Sequence, residues 1–425
     1  MVDPSALPLA SGPQAPGSLT PGRPAFDEGT APSVGVYLHI PFCERICPYC
    51  DFAVVAAPQL APEAAERYVE ALLAELALRR AAFEGRRLAS VYFGGGTPSL
   101  LTPEAIAGLV RAVRGAFASA PSDEPVEITL EVNPSTVERE RLPGFRAAGV
   151  ERVSLGVQSF DDGVLKRLGR AHRADEARRS LHACRDAGFK ALCLDLIFAA
   201  PGQGIAVFER DLAEALQFSP EHVSCYELTI EPRTPFATAA QRGQLTLPDE
   251  DLAAAMHETA ERALTGAGLA RYELSNYARP GFEAVHNRRY WQRRPVLGLG
   301  VGAFSTDPTA PQHPFGVRRS NPRALAVYLE RVESGVSPEE EPELLGAATA
   351  RGEAVFLALR CSRGLEAARF ADEFGAAPRA FFGPAIDALV GGGLLEEASD
   401  GDLRLSARGR LLADSVFESF VGPSD

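Results

Sequence analysis

No apolar run in this chain approaches the roughly 20 residues that a membrane-spanning helix needs. The N-terminus lacks the basic region followed by an apolar one that marks a secretory signal. Basic charge is short as well: 43 Lys plus Arg against 56 Asp plus Glu leave a net charge of −13, the reverse of what a nucleic-acid surface carries. Cysteine is sparse outside one stretch. Cys184, Cys193, Cys225 and Cys361 are scattered among apolar neighbours and read as buried small side chains, and nothing points to the oxidising compartment that a disulfide framework needs. These absences lead to the expectation of a cytoplasmic globular protein without nucleic-acid or membrane partners. At 425 residues, 46% of them hydrophobic, it can bury a large core across two domains.

The other three cysteines fall within eight residues, in Tyr37-Leu38-His39-Ile40-Pro41-Phe42-Cys43-Glu44-Arg45-Ile46-Cys47-Pro48-Tyr49-Cys50-Asp51-Phe52, at C-x₃-C-x₂-C spacing. The apolar run from Val36 to Ile40 reads as a strand that enters a loop at Pro41. Three thiolates on one loop can hold three irons of a [4Fe–4S] cubane. With no fourth cysteine nearby, the last iron stays open to a substrate or cofactor. A zinc site is the competing reading, and it would need His39 or a distant residue as its fourth ligand.

From Val34 to about Pro232 short apolar runs alternate with longer helical patterns. Strands are expected over 36–40, 88–93, 126–131, 152–156, 191–198 and 222–228. Helices are expected over 62–83, from Thr102-Pro103-Glu104 onward, and over 174–187 with Gly188 as the stop. Strand–helix–strand units repeating at roughly 30 residues pair in parallel with the helices outside. The expected fold is therefore α/β, a partial (βα)₆ TIM-like barrel over 33–235, with its functional groups at the C-terminal ends of the strands. Residues 1–32, rich in Pro, Ala and Gly, are expected as a disordered tail, and 236–340 as a connecting segment. Residues 341–425 are expected to form a mainly helical, winged-helix-like domain with a hairpin over 394–405. It reads as a packing unit, because it is too acidic for DNA.

The run Y-L-H-I-P-F-C-x₃-C-P-Y-C-D-F, with Gly94-Gly95-Gly96-Thr97-Pro98 after the second expected strand, resembles the radical S-adenosylmethionine (radical SAM) family. The resemblance is to its branch around oxygen-independent coproporphyrinogen III oxidase, and it spans about Val34 to the C-terminus. It implies a barrel of the radical SAM type in which the open iron chelates the methionyl amine and carboxylate of SAM. An electron, supplied by a donor such as flavodoxin or ferredoxin, would then cleave the sulfonium to a 5′-deoxyadenosyl radical. It also implies that Tyr37, Tyr49, Gly95, Gly96, Thr97, Glu131, Gln158, Arg170 and Asp195 line the pocket for SAM or a second ligand. Taken alone, glycine at a tight turn is commonplace, as is a carboxylate at a strand end. Asp195 inside an apolar strand is costlier and calls for a partner or a place at the barrel mouth.

Within that family the decarboxylating oxidase usually carries a further cysteine two residues past the last cluster ligand, where this chain has Phe52. It also has a longer structured N-terminal segment. Cys50-Asp51-Phe52 and His286-Asn287-x-x-Tyr290-Trp291 instead resemble a haem-chaperone branch, which binds haem or porphyrin and hands haem to apo-proteins. That resemblance would make His286 the axial haem ligand, with Tyr290 and Trp291 stacking on the macrocycle. The chain departs from its relatives at Ala199-Ala200, where they more often have a glycine and a larger apolar residue, and at Phe304, where they usually have histidine. Three functions are thus expected in turn: a haem chaperone, an oxidative decarboxylase of coproporphyrinogen III, and a scaffold whose cluster is only structural.

Overall fold

The computed structural model describes residues 32–118 and 125–421; the tail expected over 1–32 lies outside the described residues except for Pro32. Parallel strands covered on both faces read as unbroken apolar runs, and β1, Ser33–Ile40, is one, with seven of its eight side chains buried. The strands β2 (Arg87–Gly95), β3 (Glu127–Val132), β4 (Arg152–Gln158), β5 (Ala191–Phe198) and β6 (His222–Glu227) follow. All six lie side by side in chain order and in parallel. Between them the chain returns through α1 (Pro62–Arg79), α2 (Pro103–Ala116), α3 (Thr136–Ala147), α4 (Ala174–Asp186) and α5 (Ile205–Gln217). Local chemistry sets these boundaries. In α2, for example, Thr102 accepts from the Ala105 amide at 3.2 Å and Pro103 occupies the first turn. Ile106, Leu109, Val110 and Val113 then recur at helical spacing and are buried.

The barrel is partial. On its free side β1 pairs in parallel with Val296–Leu299, and β6 pairs antiparallel with Asn276–Ala278. Residues 236–340 are therefore not a connector, and that expectation is corrected. Val296–Leu299 continues into the antiparallel strands Phe304–Thr306 and Val317–Ser320, while Leu297, Leu299, Val301 and Tyr328 join the same core as β1 to β6. Strands of three or four residues carry too little periodicity to be read from sequence. A buried carboxylate fixes the junction. Glu75 of α1 accepts from Arg79 Nη1 at 2.8 Å, the Gly300 amide at 2.8 Å, Asn321 Nδ2 at 2.7 Å and the Tyr328 hydroxyl at 2.8 Å. A desolvated charge is tolerated only with such a full set of donors.

A second core, including Val355, Leu359, Phe370, Leu403 and Phe417, is built by the helices Ala347–Arg360, Ala367–Phe374 and Pro378–Gly391 and by a hairpin of Leu395–Glu397 with Leu403–Leu405. The hairpin lies where the sequence predicts it. This unit packs on the barrel through Arg360, whose guanidinium lies 4.5 Å from the centre of the Trp291 ring, and through the Arg410–Glu261 ion pair at 3.2 Å. Among the described residues no helix is long and apolar enough to cross a membrane.

Candidate functional site

The cysteine loop leaves the C-terminal end of β1 and is closed on itself by a parallel pairing of Phe42–Cys43 with Val55–Ala56. The Ala57 amide donates to the Cys43 carbonyl at 2.7 Å, and the Cys50 amide to the Cys47 carbonyl at 3.1 Å. The loop is pinned further at its far side by His39. Its Nε2 lies 2.9 Å from the Ala53 carbonyl and so must be the protonated nitrogen, which leaves Nδ1 to accept from the Tyr37 hydroxyl at 3.0 Å. Burial lowers the pKa of His39, consistent with that neutral, doubly bonded ring. Cys43, Cys47 and Cys50 are unbridged, and all three line one cavity of about 550 Å³, within the range of small-molecule sites.

The glycine run after β2 meets the cysteine loop edge to edge. The Gly96 and Thr97 amides donate to the carbonyls of Ile40 and Phe42, each at 2.8 Å. A Cβ on Gly96 would stand 2.7 Å from the Phe42 carbonyl oxygen and 2.9 Å from Cys43 Sγ, so no larger residue fits. Glu131, inside β3, accepts from the Tyr92 hydroxyl at 2.7 Å and the Gly95 amide at 3.1 Å. Burial nevertheless pushes its carboxyl up to about 7, with nearby Asp195 adding to the rise. Asp195 faces the same lumen and takes hydrogen bonds from the Ser154 hydroxyl at 3.1 Å and from Ser224. Burial raises its pKa too. This is the pairing its place in an apolar strand demanded.

Arg170 joins the walls. Its Nη2 donates to Asn133 Oδ1 at 2.7 Å and to the Gly156 carbonyl at 3.1 Å, and Nη1 points to Cys47 Sγ at 3.7 Å. Asn133 Nδ2 in turn donates to Thr97 Oγ1 at 2.8 Å. Gln158 ends β4 with φ of 64°, a left-handed conformation that a non-glycine residue holds only under constraint. The cavity also collects three buried polar atoms without hydrogen-bond partners: Arg170 Nε, Thr129 Oγ1 and His222 Nδ1. Groups of that kind are rare in a finished interior and mark a place for a ligand or water.

Of the expected pocket residues, Tyr49, Gly95, Gly96, Thr97, Glu131, Gln158, Arg170 and Asp195 all line this cavity with the three thiols. Tyr37 does not; it stands behind the lining, its ring stacked on Tyr92 and its hydroxyl on His39. His286 is also elsewhere. It is 1% exposed, with Nδ1 2.9 Å from Ser90 Oγ and Nε2 3.1 Å from the Tyr290 hydroxyl. Burial, with Arg289 nearby, lowers its pKa to about 3. Both ring nitrogens are thus engaged in the core, and this geometry gives the axial-ligand expectation no support. Tyr290 is held by that same bond, and the Trp291 ring is covered by Arg360. Of the H-N-x-x-Y-W run only Asn287 lines the cavity. Phe304 is 59% exposed and is not part of the lining. Asn133, Thr129, His222 and Arg323 were missed by the sequence reading. Asn133 alone had a signal there, as the neighbour of Glu131 at a strand end.

A parallel partial barrel that carries three cysteines on its first loop and a glycine run against them defines a radical SAM protein. Residues 37–215 match the Radical SAM superfamily and residues 347–412 the HemN C-terminal domain. The chain is 38% identical to the "Heme chaperone HemW" of Mycobacterium tuberculosis over 91% of this chain and 95% of that protein. It is 32% identical to the protein of the same name from Bacillus subtilis over 91% and 98%. Among solved structures, coproporphyrinogen III oxidase (HemN) from Escherichia coli, a radical SAM enzyme, superposes with a TM-score of 0.76 at 25% identity over 92% of this chain and 90% of that one. The chain belongs to the HemW family.

Membership in the superfamily implies a [4Fe–4S] cluster and SAM, and the residues fit both. Among the described residues no three His, Cys, Asp or Glu side chains converge on a single ion. A cubane does not ask for that, since each thiolate binds a different corner. Cys43, Cys47 and Cys50 would hold the cluster. The Gly95–Gly96 backbone, Glu131 and the unpaired edge of Arg170 would face the nucleotide.

Proposed function

We propose that this protein is a haem chaperone built on a radical SAM barrel, binding haem and passing it to apo-proteins. The observation that carries the reading is the alignment with proteins named heme chaperone over nearly the whole of both chains. Phe52, in place of a further cysteine, agrees with it. When bound, the cluster supplies the electron that cleaves the sulfonium of SAM. The chain's own part is to close the cysteine loop through His39, to seat the glycine run against it, and to hold Arg170 by Asn133. Three thiolates kept reduced fit a cytoplasmic setting, and a small reductant protein would serve as electron donor.

A second reading, oxidative decarboxylation of coproporphyrinogen III, is favoured by the superposition on the E. coli oxidase. One experiment separates the two. Anaerobically reconstituted protein is loaded with hemin and mixed with a haem-free globin, and in parallel it is incubated with coproporphyrinogen III, SAM and dithionite. The chaperone reading expects the globin spectrum to appear and no vinyl product to form. Vinyl product without haem transfer would overturn it.

A further inference from the structure

We infer that the haem lies against an apolar lip at the mouth of the barrel, formed by Ile46 and Phe52 of the cysteine loop and Tyr226 at the end of β6, with its propionates turned to Arg45 and Arg323. The inference rests on the haem-chaperone reading.

Phe52, Ile46 and Tyr226 are 66%, 43% and 42% exposed, and all three line the cavity that the cysteines enter. The exposure of Phe52 is built in. The carbonyl before it, on Asp51, accepts from Arg323, and the carbonyl after it, on Ala53, is held by His39 at 2.9 Å. Beneath, a Cβ on Gly302 would stand 2.6 Å from the Ala53 Cβ, so the backbone has no room to fold inward. A ring fixed outward between two anchored carbonyls is placed to meet an apolar surface.

Charge fixes the kind of occupant. Arg45 is exposed at the lip, while Arg323 and Arg233 both approach Asp51, at 3.5 and 3.7 Å. Two guanidinium groups thus face one carboxylate, with Arg45 free on the same loop, on a chain whose net charge is −13. Glu227 and Glu231 also line the cavity, so an anionic group is steered away from them and toward Arg323. A flat apolar body with two carboxylates along one side matches this arrangement, with arginine forks on the carboxylates and aromatic rings on the plane.

The lip offers no imidazole. His39 and His286 have both nitrogens bonded. His222, the histidine that lines the cavity, opens β6 at the other end of the barrel. The haem is therefore held by its face and its edge without an axial histidine.

The test is an anaerobic hemin titration of the reconstituted full chain, followed by absorbance, with iron and sulfide content measured on every sample. The Phe52→Ala/Ile46→Ala pair and Arg323→Ala are each expected to bind at least tenfold more weakly than wild type. Hemin dimethyl ester, lacking free propionates, should bind the wild type more weakly than hemin does. His286→Ala should bind hemin as the wild type does; loss of binding there with iron intact would overturn the histidine-free mode. Undiminished binding by the Phe52/Ile46 pair overturns the site. Failure of the wild type to bind hemin at all overturns the chaperone reading beneath it. Should the pair lose its iron, Tyr226→Ala on β6 replaces it, and unchanged binding in that variant equally overturns the site.

Discussion

Replacing Glu131 with glutamine should change how stability depends on pH. The folded chain holds this carboxyl protonated up to about 7, against 4.5 for an ordinary glutamate, chiefly because it is buried. The unfolded chain therefore releases its proton first as pH rises, and between the two values the folded state binds more protons. In that window stability falls with rising pH. Each pH unit of late titration is worth about 1.4 kcal/mol, which sets an upper limit on the order of 3 kcal/mol. The cavity beside Glu131 admits water, so we expect roughly 2 kcal/mol. Glutamine offers one acceptor oxygen where the carboxylate offers two to Tyr92 and the Gly95 amide, but it does not titrate, so its own contribution does not vary with pH. The assay is anaerobic guanidinium denaturation of wild type and Glu131→Gln, prepared identically without SAM, at about pH 5 and about pH 8. The variant should gain on the wild type by roughly 2 kcal/mol between the two conditions. A difference that stays constant with pH would refute the reasoning, and would mean that Asp195 or solvent sets the protonation of Glu131.

Three more outcomes follow from the same geometry. Gly96→Ala puts a methyl against the Phe42 carbonyl and Cys43 Sγ, so iron incorporation should drop well below wild type while far-ultraviolet circular dichroism is kept; full iron content would contradict the close seating. Asn133→Ala strips Arg170 of its 2.7 Å acceptor and Thr97 of its donor; a hydrogen bond to a charged group is worth about 1.5–3 kcal/mol, so SAM should bind about 10- to 100-fold more weakly by calorimetry on cluster-loaded protein, and equal affinity would refute the role. His286→Ala removes a 1% exposed ring and both of its hydrogen bonds, and should cost about 2–4 kcal/mol in denaturant melts; a loss under about 1 kcal/mol would show that the ring is not a core element.

The six parallel strands were legible because each is an apolar run with no competing pattern, and their observed bounds lie within three residues of those expected. The cysteine loop and glycine run carry their chemistry in residue identity and spacing, so they too could be read directly. Val296–Leu299 could not. Its partner β1 lies more than 250 residues earlier, and nothing local in four apolar residues names that partner. His286 failed for the opposite reason: a histidine beside aromatics reads alike whether it faces a ligand or a core, and only Ser90, on a strand nearly 200 residues away, decides which. Asn133 reads as a strand-end turn residue until Arg170 and Thr97 are seen on either side of it.

The parallel seam between β1 and Val296–Leu299 has a bearing on biosynthesis. A ribosome that has released only the six strand–helix units has delivered the cysteines on a strand whose outer edge is still bare. The chain emerges at roughly 5–20 residues per second, so this edge waits seconds for its neighbour. Iron loaded in that interval would meet all three cysteines but not Gly302 and Arg323, which back the cysteine loop, so delivery after that segment has cleared the exit tunnel finds a firmer site.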